Sequence, residues 1–255
     1  MSNETGAAGK ARANGSRTGR SQTGSSRARR SPAGGSPAGG SPAGGLPAGS
    51  AGADGSRAGR PGPHRLLSFN PVQVGRLESA VWVAYYRRDW ARFLALSVWL
   101  VRCAFGMDWI RTVHGAWLVL RANQLWAPPE PKSDPAGARR CMRRFYGLLR
   151  LAYGEPANPA RAAELEVEWW AVHRVHQRGD DGDVQPLVDA LSRLYGFVYG
   201  IDEAALRPAA EYRARAMDIS DRWVTEGRLM DSPLLPAERA ALVRSYAALL
   251  AAVHH

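Results

Sequence analysis

The chain has 255 residues, 45% of them apolar and 22% charged, which is enough apolar material for one sizeable hydrophobic core. Its formal charge of +11 is unevenly distributed, because residues 1–65 contain ten basic and two acidic residues, whereas the remainder contains 24 basic and 21 acidic residues. Two cysteines, Cys103 and Cys141, are too few for a disulfide framework, and no uninterrupted apolar run reaches the roughly 18 residues that predict a spanning helix. With no apolar leader at the start, the composition predicts a cytoplasmic protein without a transmembrane segment.

Residues 1–67 predict a disordered tail rich in Gly, Pro, Ser and Arg. Four tandem pentads, SPAGG SPAGG SPAGG LPAGS, occupy residues 31–50, and the segment contains no Val, Ile, Phe, Tyr or Trp to form a core. Its basic residues suggest weak contact with nucleic acid or anionic lipid through residues 10–65. A bare linker or a mis-assigned start explains the same composition, and we favour that interpretation.

From residue 68 onward the pattern changes to helical periodicity interrupted by Gly and Pro, and we expect residues 68–255 to form a single all-α domain. Asp134 and Asn158, each followed by proline, have the composition of helix N-caps, and Gly106, Gly154, Gly179 and Gly200 stand at expected helix ends. The fold class is therefore all-α, a compact bundle of about eight helices behind a disordered tail. The predicted helices cover residues 71–88, 89–105, 108–126, 135–153, 159–178, 186–199, 202–227 and 236–253.

Two charged residues fall on apolar helix faces. Glu78 lies in the middle of the buried arc predicted for helix 71–88, and Arg213 falls on the apolar side of helix 202–227, near Trp223. The other charges of that second helix alternate in sign on the opposite side, which is typical of exposed ion pairs.

Helix 108–126 is apolar nearly all the way round, which predicts a central helix buried by its neighbours. His114, Arg121 and Gln124 lie along one side of it between apolar residues. An unpaired buried charge costs several kcal/mol, so Arg121 requires an acid or an anionic ligand, and Glu78 is the candidate. Tryptophans at 82, 90, 99, 109, 117 and 126 predict an aromatic seam filling the space between the first three helices.

The stretch AAELEVEWWAVHRVH, residues 162–176, combines glutamates, tryptophans and histidines. Glu166 and His173 share a face but lie about 10.5 Å apart along the axis, too far to bind one ion. His173 and His176 could share an ion only with a carboxylate from another helix. We therefore favour a packing helix with an aromatic side and exposed glutamates over a metal site.

Three functional hypotheses follow. The first is a binding or interaction module, not an enzyme, whose buried polar set holds a small anionic or polar ligand or simply specifies the core; its residues are Glu78, His114, Arg121, Gln124, His173 and Arg213. The second is a metal- or haem-dependent redox bundle with histidine ligands (His114, His173 or His176), assisted by Glu78 or Glu168. The third is an adaptor that binds nucleic acid or anionic membrane through its tail. No catalytic residue or cofactor is predicted, and the small molecule or protein partner remains unidentified.

Overall fold

The computed structural model describes residues 68–179 and 183–254, and within them it contains eight α-helices and no strands. The all-α prediction is confirmed, and the helix bounds lie within a few residues of those predicted. The prediction of a disordered tail over residues 1–67 lies outside the described residues. The helices are α1 (Pro71–Tyr86), α2 (Trp90–Phe105), α3 (Trp109–Trp126), α4 (Pro135–Tyr153), α5 (Pro159–His176), α6 (Gln185–Tyr199), α7 (Glu203–Thr225) and α8 (Leu234–Val253).

Side-chain caps explain why most of these helices begin where they do. Asp134 accepts a hydrogen bond from the backbone N–H of Gly137, and Asn158 accepts from those of Ala160 and Arg161, so both predicted N-caps are confirmed. Gly106, Gly154 and Gly200 end their helices with positive φ, as expected of left-handed C-caps. The fourth glycine predicted to end a helix, Gly179, does not cap α5, because the helix ends two residues earlier with Gln177 as its C-cap. The six helices that begin at an Asp or Asn cap are α1, α2, α3, α4, α5 and α7.

Each helix packs against the next in the chain, and α8 returns to pack against α1. The interior holds large aromatic side chains from several helices, among them Trp82, Trp169 and Trp223, which are almost completely buried. Burying such rings contributes much of the hydrophobic stabilisation of the bundle. Among the described residues, no helix is both long and apolar enough to cross a membrane.

The prediction that α3 is buried on all sides is wrong. The helix packs on α2 and α4, and its third side faces solvent, where the side chain of Ile110 is 84% exposed. A helix needs neighbours on every side to be buried all round, and in the described part of the chain α3 has close neighbours on two. The aromatic seam is likewise only partly correct, because Trp82 and Trp126 are buried whereas Trp99, Trp109 and Trp117 are about half exposed.

Candidate functional site

The buried acid predicted in α1 is paired with the buried base predicted in α7. Glu78 Oε1 lies 2.5 Å from Arg213 Nη2, and Glu78 Oε2 lies 3.0 Å from Nη1, so the pair is bidentate. The hydroxyl of Tyr246 in α8 donates to Oε2 of the same carboxylate at 2.7 Å. Glu78 therefore receives three hydrogen bonds from two other helices, and all three side chains are buried.

Aromatic rings enclose the guanidinium of Arg213. Its central carbon lies 5.6 Å from the ring centroids of both Trp82 in α1 and Trp169 in α5, which is within cation–π range. Burial alone would lower the pKa of Arg213, but the negative charge of Glu78 raises it well above its ordinary range. Arg213 is thus held as a cation whose charge is neutralised inside the protein.

The expected Glu78–Arg121 pair does not form, because Arg121 lies at the surface. Its Nη1 donates instead to Oε1 of Gln124 at 2.5 Å on the same helix. His114 is exposed as well, and Gln124 is half-buried. The exposed side of α3 carries all three residues, so the set predicted from the sequence divides between the interior and the surface: Glu78, His173 and Arg213 are buried, and His114, Arg121 and Gln124 are not.

His114 and Arg121 nevertheless line a common groove between α3 and α4. This groove, hereafter the basic groove, has a volume of about 520 Å³. Helix α4 contributes Arg140, Arg143 and Arg144, which follow an i, i+3, i+4 spacing and therefore share one side of the helix. Together with Arg121 they bring four guanidinium groups to one concave surface.

Negative charge is scarce in the basic groove. Among the described residues of its lining, Asp134, the N-cap of α4, is the one acid, and it lies 3.5 Å from Arg140 Nη2 in an exposed ion pair. Among the described residues, no carboxylate lies within ion-pair distance of Arg121, Arg143 or Arg144. The groove is therefore a surface of positive potential that an anion can neutralise.

Comparison with known proteins gives no match: no protein-family model, curated protein sequence or solved structure is similar to this chain.

The two histidines of α5 bind separate carboxylates of α7. His173 Nε2 lies 2.9 Å from Asp221 Oδ2, and His176 Nε2 lies 2.8 Å from Asp218 Oδ1. Gln177 donates to the other oxygen of Asp221 at 2.5 Å. Within the described ranges, no three His, Cys, Asp or Glu side chains are placed to hold a metal ion, and these contacts fasten α5 to α7.

Two further buried acids were not predicted from the sequence. Glu166, expected at the surface, is fully buried and accepts hydrogen bonds from Tyr146 at 2.7 Å and from Trp170 at 3.3 Å. Burial raises the pKa of Glu166 to about 7, although the bond from Tyr146 and the charge of Arg213 oppose the increase. The feature of the sequence that could have predicted this burial is the position of Glu166 on the same helical face as Trp170.

Glu238 in α8 is the other unpredicted acid. Its Oε2 accepts a hydrogen bond from the hydroxyl of Ser79 in α1 at 2.5 Å, while its buried Oε1 has no hydrogen-bond partner among the described residues. Burial raises the pKa of Glu238 to about 8. A neutral carboxylic acid fits this position better than a carboxylate, because an unpaired charged oxygen in the interior is costly.

Proposed function

We propose that this chain is a binding protein whose basic groove holds an anion that carries phosphate groups. The observation that supports the proposal is the meeting of four guanidinium groups, from Arg121, Arg140, Arg143 and Arg144, around one concavity in which the described lining residues include a single carboxylate. Concentrated positive charge without matching acids is the electrostatic condition for binding an anion.

Phosphate suits this arrangement better than a simple halide or a carboxylate. A guanidinium is planar and presents its N–H donors as a fork that matches two oxygens of a carboxylate or a phosphate group, but a phosphate group has further oxygens left for a second guanidinium. Arginines from two different helices can approach several phosphate oxygens from opposite walls of the groove. His114 and Trp117, also in the lining, add a polar and an aromatic contact for the rest of the ligand.

The buried residues of the set predicted from the sequence have another role in this proposal. Every oxygen of Glu78 and both terminal nitrogens of Arg213 already have protein partners, so the pair offers no free charge to a ligand. His173 is similarly engaged with Asp221. We assign these residues to holding the helices in register, and His114 and Arg121 to the ligand.

Calorimetric titration of the full chain with inorganic tripolyphosphate tests the proposal. Since a hydrogen bond to a charged group contributes about 1.5–3 kcal/mol, the double variant Arg121→Gln/Arg144→Gln should bind at least about tenfold more weakly. The matched control is Arg239→Gln/Arg244→Gln, which removes the same charge from the exposed side of α8 and should change affinity less than about twofold. Equal weakening in both variants would show that net charge alone, including the basic residues 1–65, attracts the anion, and the groove assignment would then be wrong.

A charge change of opposite sign gives a second readout. Asp134→Asn removes the groove's one carboxylate but keeps a side-chain oxygen that can cap α4, because Asn and Asp are comparable N-caps. We expect tripolyphosphate to bind this variant about two- to fivefold more tightly, with unchanged thermal stability. Unchanged or weaker binding would count against the groove.

A further inference from the structure

An apolar surface adjoins the basic groove. Five large apolar side chains on α2 and α3 are exposed, with Ile110 at 84% and the other four near one half; this set, the apolar face, comprises Trp99, Trp109, Ile110, Val113 and Trp117. Exposed apolar residues are ordinary when they are scattered, but a contiguous group marks a contact surface.

The apolar face is contiguous. Ile110, Val113 and Trp117 follow an i, i+3, i+7 spacing along the exposed side of α3. The rings of Trp99 and Trp109 meet edge to face with centroids 5.8 Å apart, which extends the face onto α2. Trp117 also lines the basic groove, so the apolar and the basic surfaces share a border.

From this border we infer that the phosphate groups bound in the basic groove belong to lipid headgroups, and that the apolar face rests in an anionic bilayer surface. The inference depends on the proposed function, because it names the source of the phosphate. Apolar and tryptophan side chains enter the boundary between headgroups and acyl chains, while neighbouring arginines contact the anionic headgroups. The side chains of the apolar face and the four arginines of the basic groove supply these two interactions on one side of the protein.

Two other occupants fit the surface less well. A two-fold interface uses the same surface on both copies, so docking a second copy here would place the groove arginines of both copies at one interface with little negative charge to offset them. A nucleic acid would need open aromatic faces for base stacking. The guanidinium of Arg102 already lies 5.2 Å from the ring centroid of Trp109, and Ile110 and Val113 offer a base neither a hydrogen bond nor a flat ring.

Co-sedimentation of the full chain with vesicles tests the inference. Binding should be strong to vesicles that contain phosphatidylglycerol and weak to vesicles of phosphatidylcholine alone. The variant Ile110→Ser/Val113→Ser should lose about tenfold or more of its partition onto the anionic vesicles, since it removes two aliphatic side chains whose transfer out of water favours insertion. The matched control, Leu151→Ser/Val175→Ser, removes two other exposed aliphatic side chains on α4 and α5 and should bind as the unmodified chain does.

Tripolyphosphate binding and vesicle binding, measured on the same variants, separate this inference from the proposed function. Ile110→Ser/Val113→Ser should still bind tripolyphosphate normally, which also shows that it is folded and that its groove is intact. If the full chain binds tripolyphosphate but not anionic vesicles, or if the apolar variant partitions unchanged, the lipid inference is overturned while the anion site stands. Binding of a single-stranded oligonucleotide that weakens in the apolar variant, without vesicle binding, would identify nucleic acid as the ligand instead.

Discussion

Arg213 and Glu78, from α7 and α1, form a bidentate ion pair with N–O distances of 2.5 and 3.0 Å and almost no solvent exposure. Tyr246 adds a donor from α8 to the same carboxylate, so one acid joins the first helix to the last two. A buried ion pair gains little net stability over apolar packing, because desolvation offsets the attraction. Its contribution is to make alternative packings costly, since any slip of α7 against α1 would leave two opposite charges unpaired in the interior.

The first prediction is a strong energetic coupling within this pair. Arg213→Met should lower the free energy of unfolding by about 3–5 kcal/mol, because it leaves the carboxylate of Glu78 buried without its counter-charge. Combining Arg213→Met with Glu78→Leu should cost clearly less than the sum of the two single changes, since no unpaired charge remains. Urea unfolding of the four proteins measures the coupling. Strictly additive costs would contradict the assignment of the pair as mutually dependent.

Helical architecture was predictable here because its determinants are local. Asp134 and Asn158, each before a proline, mark helix starts through chemistry confined to a few residues, and both caps form as expected. Helical periodicity also identified Glu78 and Arg213 as charges on apolar faces, and both are buried. A helical wheel reports the orientation of a residue within its own helix, and that information was sufficient for these two.

Pairing between helices was not predictable by the same means. The helical pattern suggests Arg121 as the partner of Glu78, but a wheel does not tell which helix covers which face, and α3 has a side that no described helix covers. Glu166 shows the converse error: α5 is covered on the side where a glutamate looked exposed. The basic groove was missed for a related reason, because its walls combine α3 with the arginines of α4, whose exposed positions looked like ordinary surface charge.

The second prediction concerns two glycines inside helices. A Cβ at Gly75 in α1 would lie 2.9 Å from the backbone nitrogen of Val243 in α8, which cannot move aside as a flexible side chain can. Gly75→Ala should therefore destabilise the protein by about 1–3 kcal/mol through overpacking, despite the better helix propensity of alanine. Gly147 in α4 is the matched control, because a Cβ added there would have no neighbour within 4 Å, and Gly147→Ala should stabilise by up to about 1 kcal/mol. Thermal unfolding of the two variants should shift in opposite directions; equal stabilisation of both would contradict the close packing of α1 on α8.

The third prediction is a dependence of stability on pH that originates in Glu238. Burial raises the pKa of its carboxyl from 4.5 to about 8, with the nearby charge of Glu78 acting in the same direction and the bond from Ser79 opposing it. The folded state therefore binds the proton more tightly than the unfolded state does. The resulting stabilisation is complete below pH 4.5 and is lost as the pH rises towards and through about 8.

Glu238→Gln isolates this effect, because an amide keeps an oxygen for the hydroxyl of Ser79 but does not titrate. The free energy of unfolding, measured by urea denaturation between pH 5 and pH 9, should fall less steeply for the variant than for the unmodified chain. The difference in free energy of unfolding, variant minus unmodified chain, should therefore be about 2–4 kcal/mol larger at pH 9 than at pH 5. Glu166, whose pKa is raised to about 7 by burial, titrates in both proteins and cancels in the difference. If the difference in unfolding free energy between the two proteins stays constant from pH 5 to pH 9, Glu238 does not titrate in this range. The prediction that burial keeps it protonated would then be wrong.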